Sequence, residues 1–386
     1  MTTVTPRPLY GIRVVNFGVG GVAPWASSQL AQLGATVVKI EAPNEFMTYT
    51  MPPWHGLTTT YAALNANCRS VKLNLKDDGD RDLAWHLAET ADVLIENFRA
   101  GAIDRMGFGF DALSKRNPRI IFCSSSGYGR EGSMAGLPCT DPHIQSFSGF
   151  ATLNNSVLPG ERSRYYGLID LYTGQLIAEA VLAGLVARRR ENKPQYIEMT
   201  MLGAASALLL TKLADYLRGG PPPRSGARHT APDDLYRTTD GTIAVTVETD
   251  AEFSALCGAL ERADLASDPR FATVAARLAS VEALDAELQR TFATAPSDWW
   301  IVALRRAAVA AARVHAEHEV CAHRETWQRG HLRQLAVGPG ALLAAAPVWD
   351  FEDVPPLAGH ASVPGQHSAL LRKDAGRFWD ALEDGQ

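Results

Sequence analysis

The stretch Ile12-Arg13-Val14-Val15-Asn16-Phe17-Gly18-Val19-Gly20-Gly21-Val22-Ala23 runs from a β-prone segment through a glycine-rich turn into the start of a helix. A helical run, Ala26–Leu33, follows, and then a second strand-like run, Thr36–Glu41, carrying Val37, Val38 and Ile40. The same rhythm continues. Val71–Leu75 reads as a strand, Asp82–Thr90 as a helix, and Asp92–Phe98 and Arg119–Ser124 as two more strands. Strands alternating with helices predict a largely parallel sheet covered on both faces, an α/β fold.

The glycine turn fits G-x-G-x-x-A, and Glu41 ends the next strand, where a dinucleotide fold places its ribose-binding acid. Helix N-termini also attract phosphate. A nicotinamide or flavin enzyme is therefore one reading of these residues. A second feature lies further on, in Tyr165-Tyr166-Gly167-Leu168-Ile169-Asp170-Leu171-Tyr172-Thr173-Gly174, which opens a long apolar segment ending in Arg188-Arg189-Arg190. Asp170 has two available jobs there. It can cap the helix by accepting from first-turn N–H groups, or it can serve as a carboxylate nucleophile.

The chain has 386 residues, too many for one simple core, so two domains are expected. It is 46% apolar and 20% charged, the balance of an ordinary globular protein. A formal charge of −5 offers no basic excess, which argues against nucleic acid as a partner. The N-terminal residues lack an apolar signal core and no uncharged apolar run of membrane-spanning length stands out, so a cytoplasmic protein without membrane contact is expected. Cys68, Cys123, Cys139, Cys257 and Cys321 are odd in number and lack CxxC spacing, which favours reduced thiols.

The stretch Ser126–Gly167 is rich in Gly, Ser, Pro and Asn and reads as a long irregular connection of the kind that carries function. After a strand at Tyr196–Met201 and an apolar helix to Leu217, Gly219-Gly220-Pro221-Pro222-Pro223 reads as a linker. Leu235–Thr238 and Thr242–Val247 flank the turn Asp240-Gly241 as a hairpin. Helical patterns at Ala251–Leu260, Val281–Phe292 and Ser297–Ala308 complete a smaller α+β unit, with Trp299 and Trp300 expected to pack. The tail Ala336–Asp353 is punctuated by Pro and Gly.

His315, His318, Cys321 and His323 lie close in sequence, but no second cluster supplies converging partners, so no metal is expected. Ser124-Ser125-Ser126-Gly127-Tyr128-Gly129 departs from G-x-S-x-G and reads as a turn lending backbone N–H groups to a ligand. Asn97 ends a strand, the place where open parallel sheets bind ligands.

Several words taken together resemble the class III coenzyme A transferases, a family that includes formyl-CoA transferases, carnitine CoA-transferases and α-methylacyl-CoA racemases. They are Pro8–Val15, Leu33–Glu41, Asn65–Leu73, Ala91–Gly101, Asn117–Ile121, Ser126–Gly129, Asp240-Gly241 and Pro364–His367. They cover nearly the whole chain. Asp170 and Gly174 fall on the family's D-x-x-x-G, so the resemblance implies that Asp170 is the nucleophile, ionised near neutrality from a reference pKa of about 3.9. It also implies that the first glycine turn receives coenzyme A rather than NAD.

Carried over position by position, the resemblance implies CoA contacts at Leu73, Lys76, Asn97, Phe98, Arg105 and Met106. Lys76 and Arg105 suit phosphates, and Phe98 and Met106 suit the adenine or pantetheine surface. The implied reaction moves CoA from an acyl-CoA to a carboxylic acid acceptor through an aspartyl anhydride and an aspartyl-CoA thioester. The implied fold is a Rossmann-like large domain with a smaller α+β domain, in ring-like subunits interlocked as a homodimer. The boundaries read as 1–222 for the large CoA-binding domain, 223–320 for the small one, and 321–386 for a segment returning to the first.

Departures from the family pattern matter too. Ala42 stands where an adenine-stacking Arg is frequent, and Cys68 where Lys is common. The region Arg224–Thr230 lacks the glycine run of the formyl-CoA transferases, which argues against oxalate and formyl-CoA as substrates. Racemases place a His directly before their loop acid, and here Thr140 precedes Asp141, although Glu248 stands near their supporting Glu. A racemase-like isomerase and a non-catalytic subunit of a paired transferase are the alternative readings. Tyr61, Tyr165, Tyr166 and Tyr172 are candidates for shaping an acyl pocket.

Overall fold

The structure, a computed structural model, describes residues 6–44, 57–152, 167–219, 228–328, 330–337, 340–345, 349, 351–352, 354 and 359–383. Tyr165, Tyr166 and the proline run of the linker lie outside these residues. The chain divides into two compact units, Met1–Pro223 with Trp327–Gln386, and Arg224–Thr326.

The larger unit is built on six parallel strands: β1 (Arg13–Asn16), β2 (Thr36–Glu41), β3 (Arg69–Lys72), β4 (Val93–Glu96), β5 (Ile121–Ser126) and β6 (Gln195–Thr200). Their order is β3-β2-β1-β4-β5-β6, so the winding reverses between β1 and β4. Helices α1 (Val22–Gln32), α2 (Thr59–Leu64), α3 (Asp78–Thr90), α4 (Ala102–Arg105), α5 (Phe110–Arg116), α6 (Asp141–Phe147), α7 (Leu168–Glu191), α8 (Met201–Leu208) and α9 (Leu210–Leu217) follow in chain order.

Side chains alternate across the sheet because successive Cβ atoms leave a strand on opposite faces. Val14, Val37, Ile95, Ile121 and Cys123 pack under α1 and α7. Val15, Val38, Ile40, Leu94 and Phe122 pack under α3, α5 and the C-terminal residues Leu371, Phe378 and Trp379. With both faces covered, central strands read as unbroken apolar runs, which is why the sequence showed them so plainly.

The returning C-terminal segment blocks the open edge of β3. Gly365 N donates to Ser70 Oγ at 2.6 Å, His367 N to Ser70 O at 2.9 Å, and Lys72 N to Ser368 Oγ at 2.8 Å. An uncovered edge strand invites pairing with another chain.

Three sequence expectations change. The tail Ala336–Asp353 is not merely irregular: β10 (Leu332–Val337) pairs antiparallel with β11 (Gly340–Ala345) and parallel with β12 (Gly359–His360). Its alanines have low strand propensity, and cross-strand pairing overrides them. The stretch after Ser126 contains α6 and a 3₁₀ turn, Phe150–Thr152. Finally, α7 is long and apolar enough by length and composition to cross a membrane. In this fold its residues Ile169, Ile177 and Val181 are buried in the core beside α1.

The smaller unit has an antiparallel sheet ordered β7 (Asp233–Arg237), β8 (Thr242–Thr246), β9 (Ala310–Arg313), with Tyr236 opposite Ile243 in the hairpin. Helices Asp250–Ala259, Val281–Phe292 and Ser297–Arg306 close its core, where the Trp300 indole N–H donates to Phe292 O at 2.9 Å. Trp300 is buried, whereas Trp299 is exposed.

Candidate active site

Ligands of open parallel sheets bind beyond the carboxyl ends of the strands where the winding reverses. A cavity of about 240 Å³ opens there in the larger unit. The β1–α1 turn, the residues after β4, the residues leaving β5, the 136–140 segment and Asp170 line it.

Asp170 is the third residue of α7. It does not cap that helix, contrary to the local reading. The N-cap position is Gly167, with φ +66°, and it contributes no side chain. The capping carboxylate is Asp141, whose Oδ2 accepts from Ile169 N at 2.7 Å and Asp170 N at 3.0 Å. Asp141 is only 4% exposed, and Gln145 donates to its other oxygen. With the helix end satisfied from outside, the Asp170 side chain is released toward the cavity.

Two glycines let the rest of the site close on that carboxylate. A methyl group at Gly174 would lie 2.7 Å from Val22 O, so α1 and α7 touch backbone to backbone one turn below Asp170. A methyl group at Gly21 would lie 2.5 Å from Asp170 Oδ2, so the carboxylate rests against the N-cap of α1. The α1 N-terminus has no side-chain cap, and its Val22 borders the cavity. Free N–H groups at a helix start are suited to an anion or a developing oxyanion.

Burial pushes the Asp170 carboxyl up to about 7, and the nearby Asp141 charge pushes in the same direction. The expectation of a near-reference value is therefore revised. Glu96, 2% exposed at the end of β4, is also raised to about 7 by burial, although it accepts from Ser124 Oγ and from Phe98 N.

Asn97 and Phe98 line the cavity together with Asp170. Asn97 clamps the β1–α1 turn: its Oδ1 accepts from Val19 N and its Nδ2 donates to Val19 O, both at 2.8 Å. The other four expected contacts lie outside the cavity lining. Leu73 is 1% exposed within the core and offers a ligand no side-chain surface. Lys76 and Arg105 are exposed. Met106 packs against the core, and its carbonyl accepts from Arg81 Nη2 at 2.8 Å.

Among candidates for the acyl pocket, Tyr61 is buried, donating its hydroxyl to Glu41 at 2.6 Å, and neither it nor Tyr172 borders the cavity. Glu41 is fully buried, bound also by Ser70 Oγ and by Lys39 Nζ at 3.3 Å. It cannot reach a ribose, and the dinucleotide reading loses its acid.

Other residues also line the cavity, and Arg99 and Cys139 were given no part in a site by the sequence. Arg99 and Cys139 border the site, and the Cys139 thiol is pushed up by burial. Ser125 also lines it, with a fully buried hydroxyl that has no hydrogen-bond partner among the described residues. Ser125 belongs to the Ser124–Gly129 turn expected from the sequence to face a ligand, and Ser126, Gly127, Tyr128 and Gly129 of that turn line the cavity with it. His143 lies outside the cavity lining and shares a 2.7 Å hydrogen bond with Thr140 Oγ1.

Comparison with known proteins supplies an independent reading. Residues 9–368 match the sequence model of CoA-transferase family III. An acetyl-CoA:oxalate CoA-transferase of Acetobacter aceti is 34% identical over 320 residues, covering 80% of this chain and 82% of that one. A succinate–glutarate CoA-transferase of Agrobacterium fabrum is 30% identical, covering 94% of each chain. The crystal structure of a CAIB/BAIF family protein from Brucella suis superposes with a TM-score of 0.85 at 28% identity, covering 96% of this chain and all of that one.

Proposed function

From the premise that this chain belongs to CoA-transferase family III, and is therefore a CoA-transferase, we propose that it moves CoA from an acyl-CoA to a carboxylic acid through covalent intermediates on Asp170. The observation that carries this reading is the Asp170 carboxylate itself: it faces the cavity and rests on the uncapped N-terminus of α1.

The ionised carboxylate attacks the thioester carbonyl, giving a mixed acyl-aspartyl anhydride and CoA thiolate. The thiolate attacks the aspartyl carbonyl of the anhydride, releasing the donor acid and leaving an aspartyl-CoA thioester. An acceptor carboxylate attacks that thioester to form a second anhydride and free the thiolate again. The thiolate then takes the acceptor's acyl group and restores Asp170. Every bond broken is matched by one formed, so the exchange needs neither water nor ATP. The N–H groups at the start of α1 are suited to stabilising the tetrahedral oxyanions, each such donor being worth about 3 kcal/mol.

CoA is much longer than the cavity, so the cavity holds the reacting end. The nucleotide lies outside it, and the exposed Lys76 and Arg105 offer cations for its phosphates. Racemisation is not favoured, because Thr140 occupies the position before Asp141 and His143 stands outside the lining. Assembly as an interlocked homodimer is part of the proposal, and light scattering on the purified protein tests it. The α8–α9 surface, with Leu210 and Leu217 exposed, is available for burial in such a dimer.

The test is to incubate the protein with acyl-CoA, trap with hydroxylamine and map the adduct by mass spectrometry. We expect modification at Asp170 and loss of transfer in Asp170→Ala. Full transfer by that variant would overturn the reading.

A further inference from the structure

The two hydrogen bonds from Ile169 N and Asp170 N to Asp141 tie a buried carboxylate to the first turn of the helix that presents the nucleophile. Among the described residues no other side chain caps that end. The capping acid comes from α6, and Gln145, one turn further along α6, fixes its second oxygen. A neutral acceptor would satisfy the same N–H groups, since Asn and Ser cap helices about as well as Asp. The surroundings make the choice of a charged cap consequential, because it places a second anion beside Asp170 in a site partly closed to water.

The groups that share the cavity with Asp170 come from several elements. The β1–α1 turn and the start of α1 contribute Val19, Gly20, Gly21 and Val22, none of them titratable, and α8 contributes Met201. The residues after β4 bring Arg99, those after β5 bring Tyr128, and the 136–140 segment brings Cys139. From α6 comes Asp141, the one carboxylate among the described residues that contacts the Asp170 backbone.

Resting on the reading of Asp170 as nucleophile, we propose that Asp141 is a positioning residue with two separable effects: its oxygen aims the first turn of α7, and its negative charge keeps Asp170 more basic. A carboxylate attacking a thioester is a weak nucleophile, and raised basicity increases its nucleophilicity while leaving it ionised above neutrality. The direction agrees with the contribution of Asp141 to the raised Asp170 value.

Two variants separate aim from charge. Asp141→Asn keeps an acceptor for the two N–H groups and removes the charge, whereas Asp141→Ala removes both. The Asp170 carboxyl is followed by carbon-13 NMR through a pH titration, assigned by its disappearance in Asp170→Asn, and CoA transfer is measured over the same range. In Asp141→Asn we expect the Asp170 midpoint to fall by at least half a pH unit and the acid limb of the transfer rate to move with it. We expect Asp141→Ala to lose at least a further tenfold in the rate at high pH. A midpoint that is unmoved or raised in Asp141→Asn overturns the charge effect. Equal high-pH rates in the two variants overturn the aiming effect. If Asp141→Ala does not fold, Asp141→Val takes its place, with Asp141→Ser as the control that retains an acceptor oxygen. The NMR titration does not depend on turnover. If hydroxylamine traps no adduct at Asp170, the reading of Asp170 as the nucleophile falls while the carboxylate coupling is still measured.

Discussion

Gly174 lies one helical turn below Asp170, and its missing side chain is what lets α1 approach. Gly174→Ala gains about 1 kcal/mol of helix propensity. It also places a methyl 2.7 Å from Val22 O, an overpacking that costs about 1–3 kcal/mol. The expected result is a small loss of stability with a much larger loss of transfer rate, tenfold or more, because α1 retreats from Asp170 and a misplacement of about 1 Å can cost 100-fold. Comparing denaturant midpoints with kcat checks this.

Asp170 itself ties activity to stability. Its folded value of about 7 lies above its unfolded value near 3.8. The native protein therefore binds the proton more tightly, and stability is lost as pH rises from about 4 to 7. Asp170→Asn removes that penalty. We expect its Tm to exceed that of the parent by several degrees at pH 8, with the advantage vanishing by pH 4, and an inverse trend would contradict the raised value. In the parent, transfer should rise through pH 7 as Asp170 ionises.

At the scale of elements, the C-terminal segment acts as a strip closing β3. His360 and His367 are held down to about 4, chiefly by burial and then by the nearby Arg69 charge. Both are neutral in the fold, whereas the unfolded chain takes up protons near 6.5. Stability is therefore lost as pH falls from about 6.5 to 4. His367→Gln should flatten that decline, as read from denaturant melts across the window. Ser368→Ala removes the acceptor of the Lys72 amide, a change expected to cost about 1–3 kcal/mol. It should speed hydrogen exchange at Lys72 while leaving β4 and β5 protected.

For the whole molecule, each unit has its own apolar core, one around Val245, Leu288 and Trp300 and others on the two faces of the parallel sheet. Calorimetry should therefore resolve two unfolding transitions. The cavity belongs to the larger unit, so CoA at 100 times its Kd should stabilise that unit by about 2.7 kcal/mol and move one transition only. Movement of both transitions by the same amount would mean that the nucleotide engages both units.

The strand–helix alternation, the hairpin at Asp240-Gly241 and the helix Val281–Phe292 were legible in the sequence. So were the places of Asp170 in the first turn of a long helix and of Asn97 directly after a strand. Each of these rests on a period, a turn dipeptide or a strand end, signals that operate within a few residues. β11 escaped notice because its alanines announce no period and β10 because Arg333 and Gln334 interrupt its apolar residues, and their pairing makes both of them strands.

Residue identities and local patterns alone determined that the chain would form a parallel sheet with a carboxylate at the head of a long helix. What that carboxylate became was decided by the fold. Its helix is capped by an acid 29 positions away, and its oxygen lies against Gly21, from the turn after the central strand β1. Burial, and then the Asp141 charge, pushed its carboxyl up to about 7. Each of these depends on where distant segments come to rest, because desolvation and charge coupling act through space and leave no periodic mark on the chain.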